Sequence, residues 1–220
     1  MSDLFYRVLT FVGRPALWTS GSPLVIGAGN VPRDGAFILA GTHESPFDVA
    51  VLIQHTPRLL DFVSIVEVFR HPVVGWLYGS LNAFPLDRSR PDAGAVRIIL
   101  ERLGRGRVIA MFPEGGIRRG EDSVIHSRII RKGIGRIAKR AGAPIVPCVV
   151  IGSGAYAKFS SWLPLRATRY GVIYGKPLPL DLEAAELEAR LVEAFVALHA
   201  RLSDALKDEG SRERGGSQSA

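Results

Sequence analysis

The sequence predicts one α/β domain: a mixed sheet covered by helices on both faces, with an amphipathic helical segment at the N-terminus. Three observations predict it. The chain has 220 residues, enough for a single core at about 150 residues per domain. Its 47% apolar and 22% charged residues match an ordinary globular protein and exclude a disordered or fibrous one. Short runs of branched apolar residues alternate with helical patterns, as in a sheet with crossover helices.

The first segment, residues 1 to 30, is read as a membrane-interface element. On a helical wheel Asp3, Arg7, Thr10 and Arg14 share a narrow arc, while Leu4, Phe5, Val8, Leu9, Phe11 and Val12 fill the rest. An apolar arc this wide suits a helix lying at a bilayer surface with its basic stripe among the headgroups. A helix packed on the domain's own core is the alternative. Arg7 and Arg14 interrupt the apolar run a signal peptide needs, and Pro15 ends it.

The main domain is read as residues 31 to 206. Strands are expected at 36–40, 59–64, 83–86, 107–112, 145–151 and 168–174, and helices near 46–54, 65–81, 91–103, 127–141 and 183–206. Residues 207 to 220 are polar and Gly/Ser-rich and are expected to be disordered. No internal repeat is visible. The charge-free stretches 15–32, 71–86 and 141–157 are each broken by Pro or Gly, short of the ~20 mostly apolar residues of a spanning helix.

Charge and cysteine content narrow the chemistry. The net charge of +7 points to a polyanionic partner: nucleic acid, an anionic membrane surface or a phosphorylated substrate. A mean hydropathy of +0.16 is high for a basic soluble protein and makes a membrane relation worth testing. The single cysteine, Cys148, cannot form an internal disulfide, which favours a reducing compartment such as the cytosol. Gly27, Gly29 and Pro32 break the dinucleotide fingerprint, Gly104 and Gly106 precede a strand instead of following one, and no P-loop is present. The histidines form no H-E-x-x-H pair, and Gly152-Ser153-Gly154 does not make a G-x-S-x-G elbow, so neither a metal nor a serine-hydrolase motif is expected.

The chemistry-bearing segment is Thr42-His43-Glu44-Ser45-Pro46-Phe47-Asp48, directly after the expected strand 36–40. With Pro46 at the first helical position and Ser45 as N-cap, His43 lies in the turn and Asp48 in the first helical turn. That turn can fold His43 back onto Asp48. A carboxylate on one imidazole nitrogen fixes the tautomer and leaves the other as a base for a substrate hydroxyl. Asp48 also stands three residues after Ser45, as an acidic residue of a capping box would. A second segment, Pro113-Glu114-Gly115-Gly116-Ile117-Arg118-Arg119-Gly120, combines glycines that allow close backbone approach with arginines able to grip an oxyanion. A third, Phe84-Pro85-Leu86-Asp87-Arg88, ends another strand with an arginine. Three strand ends of this kind would meet at one rim of the sheet, where α/β folds bind ligands.

In this order the segments resemble the glycerolipid (1-acylglycerol-3-phosphate) acyltransferase family. His43 to Asp48 is similar to its H-x4-D block, Phe84 to Arg88 to its second block, Phe112 to Gly115 to its F-P-E-G block and Ile145-Val146-Pro147 to its closing V-P block. The resemblance covers roughly residues 35 to 180. It implies acyl transfer from a thioester co-substrate, acyl-CoA or acyl carrier protein, to the hydroxyl of a lysophospholipid, 1-acylglycerol-3-phosphate first, in phospholipid biosynthesis. It also implies His43 as the base, Asp48 as its partner, and Arg88, Glu114, Gly115 and Gly116 around the glycerol phosphate. No metal or redox cofactor is implied. The family's F-P-E-G is often followed by Thr-Arg; here Gly116-Ile117 follow, so the arginine function would move to Arg118 or Arg119. Many members carry a lysine where this chain has Ile65.

The expected location is the cytoplasmic face of the cell membrane, monotopic or peripheral. Apolar residues 73 to 84, with Trp76, Leu77 and Tyr78, would line an acyl groove or form a buried helix. Two rival readings remain at this stage. One is a non-catalytic basic module for membrane surfaces or nucleic acid, built on a helix whose Arg128, Arg131, Lys132, Arg136, Lys139 and Arg140 share one side; nucleic acid is not expected, since no RRM or zinc-finger pattern appears. The other is a thioesterase-like hydrolase using the same His43/Asp48 pair on water.

Overall fold

The computed structural model describes residues 3–87, 92–165 and 168–216. The elements run α1 (Asp3–Ser20), β1 (Gly21–Ile26), β2 (Phe37–Gly41), α2 (Asp48–His55), β3 (Leu60–Ile65), α3 (Pro72–Ser80), β4 (Phe84–Leu86), α4 (Ala93–Gly104), β5 (Val108–Met111), α5 (Val124–Ser127), α6 (Ile134–Ala141), β6 (Ile145–Ile151), β7 (Thr168–Tyr174) and α7 (Ala184–Gly216). The strands form one seven-stranded sheet in the order β1-β7-β6-β2-β5-β3-β4. Every neighbouring pair is parallel except β6 and β7, so the sheet is mixed, as expected.

Both faces of the sheet are covered, which is why its central strands read as continuous apolar runs instead of alternating ones. In β2, Phe37 and Leu39 join a core with Val51, Leu52 and Tyr170 beneath α2 and Leu17 of α1. Ile38 and Ala40 point to the other face, against Ile99 of α4, Ala138 of α6 and Leu187, Leu191 and Phe195 of α7.

Four sequence expectations are corrected. Residues 21 to 26 belong to the sheet as edge strand β1, paired with β7, and not to a separable N-terminal segment 1 to 30. Pro23 masked this strand, because a proline lacks the N–H that a ladder needs and so argues against a strand in a short run; at the sheet edge that missing donor is tolerated. Helix α1 also continues through Pro15 to Ser20. The single basic helix expected at 127–141 is instead α5, a connection and α6. Arg128 at φ 59 and Gly133 at φ 126 break it, backbone angles incompatible with a continuing helix. Finally, α7 continues past Lys207, where a disordered tail was expected, to Gly216. Leu206 packs on the core and Glu209 pairs with Arg169 at 3.6 Å, tertiary contacts that outweigh the segment's polar composition.

Helix α1 turns Tyr6 and Leu17 inward and is fastened by Asp3, which accepts from Arg107 at 3.0 Å and from Asn82 at 3.2 Å. The other side of the wheel is left open: Leu4 (69%), Val8 (50%), Phe11 (74%) and Val12 (68%) are exposed. Phe5 meets Trp76 of α3 edge to face, with ring centroids 5.4 Å apart. Val73 and Trp76 carry the exposed apolar surface onto α3, so residues 73 to 84 are not simply a buried helix. Among the described residues no helix is long and apolar enough to cross a membrane.

Candidate active site

Strands β2 and β5 are parallel neighbours, so their C-terminal ends deliver Thr42-His43 and Phe112-Pro113-Glu114 to the same rim. The His43 peptide is clamped between these segments. Its N–H donates to Glu114 Oε1 at 2.8 Å, and its carbonyl accepts from the Arg118 N–H at 2.8 Å. The imidazole stacks on the Phe112 ring, centroids 4.0 Å apart and planes 13° apart. Gly41 makes room for that ring, since a Cβ there would stand 3.1 Å from Phe112.

Asp48 is fully buried at the start of α2 and folds back over the preceding turn. Its Oδ2 accepts from His43 Nδ1 at 3.0 Å and from the Glu44 and Ser45 N–H groups at 2.9 Å each. Its Oδ1 accepts from the Ser153 hydroxyl. One carboxylate thus both ties the turn and bonds the imidazole. Ser45 is not the N-cap; Phe47 occupies that position, and the Ser45 hydroxyl accepts from the Phe47 N–H at 3.2 Å. With Nδ1–H donated to Asp48, the tautomer assigned by this contact carries the free lone pair on Nε2. The histidine side chain is 15% exposed.

Glu114, expected to contact substrate, is buried with both oxygens occupied by backbone donors, His43 N–H and, at 2.9 Å, Val124 N–H. It is a tie between three segments. Burial raises its carboxyl above the usual range, against the pull of those two donors. Glu44 is likewise raised, by burial first and then by Asp48 and Glu114.

A cleft of about 1680 Å³ opens at His43. Its lining includes the apolar Val49, Ala50, Ile53 and Phe62, the basic Arg131, Lys132, Arg136 and Arg140, and the acidic Asp87, Asp92 and Glu101. Gly115 and Gly116 lie on its lining. Gly115 sits at φ 75, and a Cβ there would fall on the Arg131 side chain. Arg118 and Arg119 differ from expectation: both are exposed and outside the lining, with Arg119 Nε donating to the Glu44 carbonyl at 2.6 Å. Arg88 lies outside the described residues. The cationic residue placed over Gly115 is Arg131, whose backbone N–H donates to the Pro113 carbonyl at 2.8 Å. In the sequence Arg131 reads as one of a row of basic residues on a helix face, and Ser153 belongs to no motif; only the adjacency of β6 to β2 brings Ser153 in.

A histidine oriented by a buried carboxylate at a cleft lined by apolar and charged side chains is an arrangement capable of general acid–base chemistry. Residues 23–151 match the Acyltransferase family's model, and the chain belongs to that family. It is 26% identical over 186 residues to a 1-acyl-sn-glycerol-3-phosphate acyltransferase of Bacillus subtilis, covering 84% of this chain and 88% of that protein. It is 28% identical over 153 residues to one of Streptococcus pneumoniae, covering 68% of this chain and 55% of that protein. An uncharacterized protein of Mycobacterium tuberculosis, Rv0502, is 34% identical over 167 residues, covering 71% of this chain and 44% of that protein. The crystal structure of the 1-acyl-sn-glycerophosphate acyltransferase PlsC from Thermotoga maritima shares the fold, with a TM-score of 0.63 at 21% identity over 90% of this chain and 79% of that one. The protein is thus an acyltransferase, and the reading as a non-catalytic basic module is overturned. The basic residues on which that reading stood belong in part to the cleft.

Proposed function

We propose that the protein transfers a fatty acyl group from a thioester, acyl-CoA or acyl carrier protein, to the hydroxyl of 1-acylglycerol-3-phosphate in phospholipid biosynthesis. The observation that carries this reading is the His43–Asp48 pair at a cleft lined by apolar and charged side chains. Relatives named for this activity support it. In the proposed reaction His43 Nε2 takes the acceptor's hydroxyl proton as the oxygen attacks the thioester carbonyl. Asp48 balances the imidazolium, and collapse of the tetrahedral intermediate expels a thiolate that takes the proton back. The products are diacyl lipid and free thiol. Arg131 lies where it could hold the acceptor phosphate, with the apolar lining left for acyl chains.

A panel of lysophosphatidate and neutral lysolipids against acyl-CoA and acyl carrier protein donors tests this reading. Arg131→Ala is expected to raise the KM for lysophosphatidate about tenfold or more, because a hydrogen bond to a charged group is worth ~1.5 to 3 kcal/mol. Donor KM should hardly change. Equal use of neutral and phosphorylated acceptors by wild type would remove the phosphate from the proposal, and thiol release undiminished without acceptor would make the enzyme a thioesterase.

The proposed location is the cytoplasmic membrane surface, with the open faces of α1 and α3 immersed. Leu4, Val8, Phe11 and Val12 are exposed on a helix fastened to the core by its other side, and the net charge of +7 favours anionic lipid. Removing the first residues would strip Tyr6 and Leu17 from the core, so point changes are the cleaner test. Val8→Glu with Phe11→Glu is expected to cut partition to anionic vesicles by about a hundredfold, since each apolar side chain contributes ~1.5 to 3 kcal/mol. Undiminished flotation of this folded variant would place attachment elsewhere.

A further inference from the structure

We propose that Ser153 is a positioning residue for acyl transfer, holding the second oxygen of Asp48 and thereby setting both the aim and the proton affinity of the His43–Asp48 pair. The inference rests on His43 acting as the base. Asp48 Oδ2 already serves three donors, His43 Nδ1 and the Glu44 and Ser45 N–H groups, whereas the donor seen at Oδ1 is the Ser153 hydroxyl. Both residues are buried, Asp48 at 0% and Ser153 at 2% exposure. Water therefore cannot replace the bond, and a buried carboxylate oxygen without a donor is costly.

The fold builds this contact deliberately. β6 is the parallel neighbour of β2, so its C-terminal end reaches the same rim as His43. There Gly152 turns the chain at φ 87, a backbone angle at which a Cβ would also stand 2.7 Å from the Arg169 carbonyl oxygen. The turn sends Ser153 back toward α2 and opens a short 3₁₀ segment, Ser153–Ala157. Tyr156 fixes that segment: it is buried, its ring 4.8 Å from Trp162 and 6.2 Å from Phe47, the residue just before Asp48. Ser153 and Asp48 are thus held by packing that does not depend on their own bond.

The direction of the effect follows from charge. A donor to the carboxylate stabilises its ionised form, so removing it raises the proton affinity of the coupled pair, whichever member holds the proton. The other titratable and charged groups facing the pair are Glu44, Glu114 and Arg119 from the surrounding loops, His126 of α5 acting on Glu44, and the buried Cys148 thiol of β6. All are unchanged by a substitution at 153.

The test is the kinetics of Ser153→Ala and Ser153→Cys beside His43→Ala, using an acyl thioester and lysophosphatidate with pH profiles of kcat/KM. Ser153→Ala is expected to lose about tenfold or more in kcat, with both KM values within about twofold and the acid limb moved up by about one pH unit. Ser153→Cys keeps the volume with a weak donor, so it should show the same shift in smaller measure, and it carries the test if the alanine variant does not fold. A wild-type acid limb and kcat in folded Ser153→Ala, or full wild-type behaviour of Ser153→Cys, would overturn the assignment. Turnover persisting in His43→Ala would instead strike the base itself, which separates the two failures.

Discussion

His43→Ala is expected to remove measurable turnover while the protein stays folded. Positioned base catalysis contributes ~10²- to 10⁴-fold, and no second imidazole lines the cleft among the described residues. The ring makes one directional bond, to Asp48, and stacks on Phe112, so its removal leaves Asp48 with two backbone donors and Ser153. Asp48→Asn is the companion. Its amide retains one acceptor oxygen, but its NH₂ must face either the imidazole or the Ser153 hydroxyl, and it cannot balance the imidazolium. A role confined to capping the turn would cost about 1 kcal/mol of stability with kcat preserved. The bond to Nδ1 predicts instead that kcat falls about a hundredfold or more. Melting temperature and kcat taken on the same samples distinguish these outcomes.

The second large effect is expected at Glu114. Its two oxygens each accept a buried backbone N–H, from His43 at 2.8 Å and Val124 at 2.9 Å. Glu114→Gln keeps one acceptor and turns an NH₂ against the other N–H. The loss should be ~1.5 to 3 kcal/mol, and since about 2–4 °C follows each kcal/mol for a chain of this size, a drop of roughly 3 to 12 °C is expected. The His43 peptide is loosened at the same time, so kcat should fall about tenfold or more. Acceptor KM should stay near wild type, since neither oxygen faces substrate. A raised acceptor KM with unchanged melting temperature would restore Glu114 to the substrate-binding role expected from sequence.

How far the molecule was legible depended on whether the information was local. The central strands read correctly because burial on both faces writes an unbroken apolar run into β2, β5 and β6. Strand β1 did not, because its Pro23 and Ser22 resemble a loop until β7 pairs with them. His43 and Asp48 were found because a turn and a cap confine their contact to six consecutive residues. Ser153 was invisible, because it reaches Asp48 across more than a hundred residues of chain and only the β2–β6 adjacency joins them. The placement of the arginines is non-local for a related reason. Arg118 and Arg119 lie beside the glycines in sequence, yet the Arg118 N–H and the Arg119 side chain bond the His43–Glu44 turn, while Arg131 returns over Gly115 from beyond α5. The exposed face of α1 was legible as an apolar arc; that the opposite face is fastened through Asp3 and Tyr6 was not, because its partners Arg107 and Asn82 lie far along the chain.

Acyl transfer to a lysolipid hydroxyl is proposed to rest on the His43–Asp48 pair. Its most direct measurement follows thiol release and diacyl product together, from an acyl thioester with and without lysophosphatidate, on wild type and folded His43→Ala. Wild type is expected to form thiol and diacyl product in equal amounts, with thiol release that depends on the acceptor, and His43→Ala to form neither. Diacyl product formed by His43→Ala at a rate near wild type would contradict the proposed role of the pair.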